Sequence, residues 1–285
     1  MIAQLDTKSV YTFMESLVTI KDYVQVAKSM GYDALGIMDV DNLYSAYEFI
    51  EACQAQKLSP LVGLEIGLEV DNETIPFRMI ALSTKGYQNL MKMSTVKMMG
   101  KSNWEDVKHL TEGVAVIVPA PFASEDLPLG LDYFIGVFAD TPVQEFSHPV
   151  LPLHTVRFFE AGDVEAMQML AAIKDNQSLT ETGPIDPTTV LKTPQDLKND
   201  FAERFPQAIT NLEKLVQGIQ YDIDTQLKLP RFNPQKPAVE ELRELAQAGL
   251  LRKNLTSPVY QERLEHELDI IHQMGFDDYF LIVWD

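Results

Sequence analysis

A chain of 285 residues, 46% hydrophobic and 23% charged, is long enough to bury a substantial core and has a globular composition. Its formal net charge of −19 disfavours a nucleic-acid groove formed by these residues unaided, because an acidic surface repels phosphate backbones. The sequence has no apolar run of bilayer-spanning length and no apolar signal region at its N-terminus, and its single cysteine, Cys53, excludes an internal disulfide. These features predict a cytoplasmic protein.

Strand-like and helix-like segments alternate up to about residue 175. The segment 19–31 (TIKDYVQVAKSMG) places apolar side chains on one helical stripe and ends at Gly31, a helix stop. Further helices are predicted at 42–56, at 84–99 with Thr84 as the N-cap, and at 163–174. Strands are predicted at 34–38, 60–70, 77–82, 113–118, 133–138 and 150–153. This alternation predicts a parallel sheet, and the number of strands favours a closed barrel over an open sheet.

The remaining chain is predicted to be helical. Residues 193–219 read as two helices broken by Pro206. Three prolines, Pro230, Pro234 and Pro237, then predict a linker between domains. Helices are predicted at 239–255 and 259–275, and the chain ends in the apolar run FDDYFLIVWD, which has no turn residues after it. We therefore expect the natural chain to continue beyond residue 285.

The order of six segments resembles a known family. They are SVYTFMES, ALGIMDVDNLYSAYEF, PLVGLEI, GYQNLMKM, LPRF and ERLEHELDIIHQMGFDDYFLIVWD. Together they are similar to the N-terminus of the bacterial DNA polymerase III alpha subunits, the C-family replicative polymerases. The resemblance implies an α/β fold in which residues 1–227 form a PHP (polymerase and histidinol phosphatase) domain, a distorted (β/α)7 barrel. Residues 228–285 would then be a linker and the α-helical start of the polymerase palm.

The same resemblance implies a function in DNA replication. The family transfers nucleotides to a primer end through two divalent ions, expected to be Mg²⁺, held by palm aspartates. Those aspartates lie beyond residue 285, so these residues by themselves are expected to contain no catalytic residue and not to polymerise. The implied partners are the remaining palm, thumb and fingers, other replisome proteins, and primer–template DNA through the complete enzyme. No membrane is implied.

An intact PHP site of the family is a multi-metal centre of histidines and carboxylates at strand ends. Where the family has His-x-His, this chain has Asp6 to Lys8, and where it has Asp-His-Gly-Asn, this chain has Asp39 to Asn42. A later family histidine falls near Pro76. The positions carried over as the former metal site are Asp6, Lys8, Asp39, Val40, Glu65, Ala120, Thr155 and Arg157.

Almost all the imidazoles of the family are missing from these positions, and two positions have become cationic. Lys8 and Arg157 are predicted to pair with Asp6, Asp39 or Glu65 and to fill the former metal cavity with salt bridges. We therefore expect no metal here and a structural or docking role.

Two alternatives stay open. One is an active metal-dependent PHP 3′–5′ exonuclease or phosphoesterase, or hydrolysis with His154 as the base. The other is a binding module whose acidic face recruits a basic partner.

Overall fold

The computed structural model describes residues 2–124, 127–220 and 230–285. The chain divides into two compact units, Met1–Ile223 and Asp224–Asp285. The predicted domain boundary, between residues 227 and 228, lies outside the described residues and stays a prediction, as does the first part of the LPRF segment.

The first unit is built on one seven-stranded sheet whose strands are adjacent in chain order. Four of the six pairings, β1–β2, β2–β3, β5–β6 and β6–β7, are parallel. The strands are β1 Ala3–Gln4, β2 Ala34–Val40, β3 Ser59–Val70, β4 Glu73–Ala81, β5 Val114–Pro119, β6 Phe134–Val137 and β7 Val150–Pro152.

The prediction of a parallel sheet was wrong for β4, which runs antiparallel to both β3 and β5. The reason is the short turn between β3 and β4. Asp71 and Asn72 have φ angles of 50° and 68°, the left-handed conformation that a two-residue hairpin turn requires. A hairpin reverses the chain directly, so no crossover helix separates these two strands.

The sheet is curled, and its first and last strands are joined just beyond their ends. Thr7 and Val156 form a parallel bridge. The amide of Lys8 donates to the Val156 carbonyl, and the amide of Val156 donates to the Asp6 carbonyl, both over 2.9 Å. The α/β PHP-type architecture predicted from the sequence is thereby confirmed, as a mixed, curled seven-stranded sheet with helices around it.

The described helices of this unit follow the predicted order, except that the short helix α4, Trp104–Val107, was not predicted. Thr84 was predicted as the N-cap of α3, but the cap is Ser83, whose extended backbone lets its hydroxyl accept from the Gly86 amide. Pro206 is the first residue of α7, where its missing N–H costs nothing. The helices are α1 Ile20–Ser29, α2 Ala46–Ala55, α3 Thr84–Met98, α4 Trp104–Val107, α5 Val164–Asp175, α6 Pro194–Ala202 and α7 Pro206–Gly218.

Side chains alternate across the curled sheet and form two separate cores. The larger core lies between the sheet and the surrounding helices. The smaller core lies on the inner face, and α7 closes one side of it. Gly36 of β2 has no room for a side chain, since a Cβ there would lie 2.3 Å from the Leu5 carbonyl oxygen. The inner core contains Ala3, Leu5, Met38, Leu61, Ile80, Ile117, Leu151 and Leu153, with Leu212, Leu215 and Val216 from α7.

In the second unit, the regular structure within the described residues 230–285 is all helical. Its helices are α8 Ala238–Arg252, α9 Pro258–Gln273 and α10 Asp277–Trp284. The first two confirm the predicted helices, and the third shows that the terminal apolar run is helical. The amide of Phe232 donates to the Asp278 carboxylate over 2.8 Å, which fixes the proline-rich segment before α8 to α10. Among the described residues of both units, no helix combines the length and apolarity that a bilayer crossing needs.

Candidate functional site

A buried cluster of four charged side chains lies on the inner face of the curled sheet. Lys8, in the segment that follows β1, contacts the Asp6 carboxylate, and its Nζ lies 2.7 Å from Oε2 of Glu65 in β3. Arg78 in β4 lies 3.1 Å from Glu65 and 3.5 Å from Asp6. We call these four residues the inner ion cluster. It contains two cations and two carboxylates, so its formal charge is balanced.

The inner ion cluster is almost completely removed from solvent. Asp6 and Lys8 are fully buried, and the Glu65 and Arg78 side chains are 15% and 10% exposed. Thr155 completes the environment of Asp6, because its hydroxyl donates to Oδ2 over 2.8 Å. Burial alone raises the pKa of the Asp6 carboxyl, but Lys8, Arg78 and the Thr155 hydroxyl outweigh it and hold this pKa well below its usual range.

Arg78 was not identified from the sequence. The family histidine was placed near Pro76, whose carbonyl in the structure accepts a hydrogen bond from Arg78 over 2.7 Å. Arg78 faces Glu65 because the two are register partners in the β3–β4 hairpin. The available signal was an arginine within the apolar run FRMIAL, because a buried cation in a strand needs a carboxylate partner.

Asp39 lies on the opposite face of the sheet from the inner ion cluster. The register partner of Asp39 in β3 is Leu64, a residue of the larger core between the sheet and the helices. The register partner of Glu65 is Val40, the next residue of β2. The prediction of Asp39, Asp6 and Glu65 around one cavity was therefore wrong. Register partners point to the same side of a sheet, and successive residues point to opposite sides.

The Asp39 carboxylate is bound by hydroxyl groups. It accepts from the Ser9 amide over 2.7 Å, from the Ser9 hydroxyl, from the Thr12 hydroxyl over 2.8 Å, and from the Ser45 hydroxyl. In the described part of the chain no lysine or arginine forms an ion pair with Asp39. The carboxylate therefore fixes the loop after β1 to the start of α2.

Arg157 does not join either group of acids, contrary to prediction. Its guanidinium donates to the Glu15 carboxylate over 3.0 Å and to the Glu15 carbonyl over 2.9 Å. Lys174 contacts the same carboxylate, and all three side chains are partly exposed. The main chain places Arg157 beside Glu15, because the Arg157 carbonyl accepts hydrogen bonds from the Leu17 amide and the Ser16 hydroxyl, both over 2.9 Å.

A cavity of about 840 Å³ adjoins the inner ion cluster through Thr155. Ala120, Phe138 and Leu153, which follow β5, β6 and β7, form part of its wall. His154 also lines it, with Nε2 2.7 Å from the Val190 carbonyl oxygen, and burial lowers the pKa of this imidazole. The carbonyl contact requires the proton on Nε2 and leaves Nδ1 as the basic nitrogen of the neutral ring.

The donor set of the inner ion cluster does not fit a multinuclear metal centre. Such a centre needs several imidazoles and carboxylates converging on each ion. Each carboxylate of the cluster instead faces two fixed cations, which would repel a metal ion. Across residues 2–124, 127–220 and 230–285, no group of three or more histidine, cysteine, aspartate or glutamate side chains could hold a metal ion.

Two family models match the chain. A model of the PHP domain matches residues 4–133, and a model described as the bacterial DNA polymerase III alpha NTPase domain matches residues 237–285. The fold and these matches define a protein with a PHP domain at its N-terminus. Over its whole length the chain resembles the N-terminal part of bacterial DNA polymerase III alpha subunits.

Individual relatives agree with these matches. The chain is 48% identical over 287 aligned positions to the DNA polymerase III subunit alpha of Streptococcus pyogenes serotype M3. It is 29% identical to the protein of the same name from Bacillus subtilis. The alignments cover 100% and 99% of this chain but 28% and 29% of those relatives. The chain therefore spans less than a third of the length of the relatives it matches.

A solved amidohydrolase from Chromobacterium violaceum shares 10% identity with this chain. The alignment covers 70% of this chain and 96% of the amidohydrolase, with a TM-score of 0.36. A score this low supports no conclusion about function.

Proposed function

We propose that this chain is the N-terminal part of a DNA-directed DNA polymerase of bacterial replication, and that its PHP domain is a scaffold without a metal centre. The observation that carries the proposal is the inner ion cluster. Lys8 follows Asp6 where the family has a second histidine, and Arg78 lies beside Glu65 on the facing strand. The cationic side chains of Lys8 and Arg78 thus pair with the carboxylates that a metal ion would need.

The energetics favour retention of such a cluster once metal ligands are lost. A buried carboxylate without a partner costs several kcal/mol, so Asp6 and Glu65 need a counter-charge wherever they are retained. Lys8 supplies one charge to both carboxylates, and Arg78 adds a second. The cluster also joins the segment after β1 to β3 and β4. It therefore holds the curled sheet together at the place where a metal centre would do so.

The proposed role of the first unit is to support the polymerase parts that follow it. In the complete enzyme we expect nucleotide transfer through Mg²⁺ held by palm aspartates beyond residue 285. The proposed partners are the remaining palm, thumb and fingers, other replisome proteins, and primer–template DNA bound by the complete enzyme. The proposed location is the cytoplasm.

Metal analysis tests the loss of the metal centre. The chain, purified without chelators, is titrated with Mn²⁺ and with Zn²⁺, and bound metal is measured by mass spectrometry after gel filtration. We expect substoichiometric metal in the wild type and in Glu65→Gln alike. Stoichiometric metal in the wild type that is lost in Glu65→Gln would overturn the proposal.

Two activity assays test the consequences. Nuclease and phosphoesterase activity with added Mn²⁺ or Zn²⁺ is expected at the level of a Glu65→Ala control, and activity that depends on Glu65 would favour a metal-dependent hydrolase. Removal of residues 1–223 from the complete polymerase is expected to lower its thermal stability and its primer extension. Unchanged stability and extension would contradict the supporting role.

A further inference from the structure

Four exposed aromatic side chains follow the first two strands of the sheet. Tyr11 and Phe13 lie in the loop after β1 and are 39% and 74% exposed. Tyr44 and Tyr47 lie at the start of α2 and are 68% and 49% exposed. We call these four residues the aromatic surface. Side chains of this size are usually buried, and a cluster of them on a surface marks an interaction site.

The two segments that carry the aromatic surface contact each other. The Asn42 side-chain amide donates to the Tyr11 carbonyl over 3.1 Å, and its oxygen accepts from the Tyr44 amide over 3.1 Å. The Tyr11 hydroxyl also reaches the Glu48 carboxylate over 3.4 Å. Tyr11, Tyr44 and the first turns of α2 are therefore neighbours, and Phe13 follows two residues after Tyr11.

The aromatic surface is held in place by the buried Asp39 carboxylate. Asp39 binds Ser9 and Thr12 on one segment and Ser45 on the other. Phe13 comes directly after Thr12, and Tyr44 comes directly before Ser45. The hydrogen bonds thus fix the backbone at residues adjoining both exposed rings, so little ordering is left to be done when a partner binds.

The two segments that carry the aromatic surface contain carboxylates and no cation of their own, and the nearby Arg157 and Lys174 are paired with Glu15. Glu48 and Glu51 are exposed on α2. The Glu48 carboxylate accepts a hydrogen bond from the Tyr11 hydroxyl, and the Glu51 carboxylate accepts one from the Tyr47 hydroxyl. Neither segment, 9–15 or 40–56, contains a lysine or an arginine. Carboxylates next to exposed aromatic faces attract cationic side chains, through ion pairs at the rim and cation–π contacts over the rings.

We propose that the aromatic surface docks a segment of another protein that carries arginine or lysine side chains between apolar ones. Aromatic rings can also stack on nucleic-acid bases. Here, however, the neighbouring carboxylates and the net charge of −19 would repel the phosphates. The inference does not depend on the loss of the metal centre, since the aromatic surface and the inner ion cluster share no residue.

Fluorescence anisotropy on the whole chain tests the proposal. The probe is a short labelled peptide of alternating arginine and leucine, and the control probes are its glutamine–leucine counterpart and oligo(dT). The chains compared are the wild type, Phe13→Ser/Tyr44→Ser, and the matched control Met98→Ser/Met99→Ser. Met98 and Met99 are 68% and 73% exposed at the end of α3 and lie outside the aromatic surface. All these changes leave the charge of the chain unchanged.

We expect the arginine–leucine peptide to bind the wild type and the methionine variant equally, and Phe13→Ser/Tyr44→Ser about tenfold more weakly. The melting temperatures should agree, because the altered side chains are exposed. Equal binding to all three chains would overturn the proposal by showing attraction to net charge alone. The proposal would also be overturned if the glutamine–leucine peptide bound the wild type as tightly as the arginine–leucine peptide, or if neither peptide bound. Binding of oligo(dT) that is lost in Phe13→Ser/Tyr44→Ser would overturn it as well. If the wild type and the methionine variant self-associate and Phe13→Ser/Tyr44→Ser does not, the aromatic surface binds a second copy of the chain, and the proposed partner is wrong.

Discussion

The ammonium of Lys8 lies 2.7 Å from the Glu65 carboxylate, across the inner face of a sheet in which β2 separates their strands. The two residues meet because the sheet is curled, which brings the segment after β1 towards β3. Lys8 contacts Asp6 at the same time. The four residues of the inner ion cluster therefore contribute jointly to the stability of the curled sheet.

Lys8→Met should lower the free energy of unfolding by about 3–5 kcal/mol, because it leaves two buried carboxylates with only Arg78. Arg157→Met is the matched control, and it should cost less than about 1 kcal/mol, because its ion pair with Glu15 is partly exposed. Urea unfolding followed by circular dichroism measures both. Equal losses would contradict the assignment of Lys8 as the central cation.

A double-mutant cycle refines this comparison. Lys8→Met/Glu65→Gln should be more stable than the sum of its single variants predicts, by about 1–3 kcal/mol, because the second change removes a carboxylate that the first left unpaired. Additive losses would show that Lys8 and Glu65 act independently.

Asp6 should make the protein sensitive to acid. Its pKa in the folded state is lowered from the ordinary value of 3.8, so the unfolded state binds the proton more tightly. The stabilisation is therefore complete well above pH 3.8 and is lost as the pH falls through that value towards the folded pKa. Asp6→Asn should be less stable than the wild type at pH 7, and this difference should shrink between about pH 5 and pH 3. A constant difference across that range would contradict the lowered pKa.

Asp39→Asn should lower the free energy of unfolding by about 2–3 kcal/mol, because three hydroxyls and one amide lose a charged acceptor. Ser45→Ala removes a single donor and should cost about 1 kcal/mol. Neither change should alter the metal content measured by mass spectrometry. A change in metal binding would instead make Asp39 a ligand and contradict its role as a structural anchor.

Gly36→Ala should lower the free energy of unfolding by about 3 kcal/mol or more, since the new Cβ would lie 2.3 Å from a main-chain oxygen of Leu5. Main chain in a sheet cannot move aside without breaking its hydrogen bonds. Gly218→Ala is the matched control at the end of α7, where nothing lies within 4 Å, and it should change stability by less than about 1 kcal/mol. Thermal unfolding of the two variants tests the difference, and similar melting temperatures would be the contradictory result.

Part of the site could have been predicted more fully from the sequence. The pair Asp71-Asn72 between two apolar runs is a hairpin signal, and it would have given the direction of β4. With β4 antiparallel to β3, a short turn places Arg78 opposite Glu65. The position of Asp39 could not be obtained in this way, because β2 and β3 are joined through a helix and their register depends on the packing of that helix.

By itself, the sequence determined the order of β2 to β7 and of the longer helices of the first unit, the helical C-terminal unit and the resemblance to DNA polymerase III alpha subunits, because periodicity and local motifs are properties of neighbouring residues. The two-residue β1 and the four-residue α4 are too short to show a periodic pattern. The tertiary structure alone decided which charges meet. Lys8, Arg78, Asp6 and Glu65 share the inner face, Asp39 lies on the other face among hydroxyls, and Arg157 pairs with Glu15. Strand register and curl set these partners, and a shift of one residue in register exchanges the two faces of a strand.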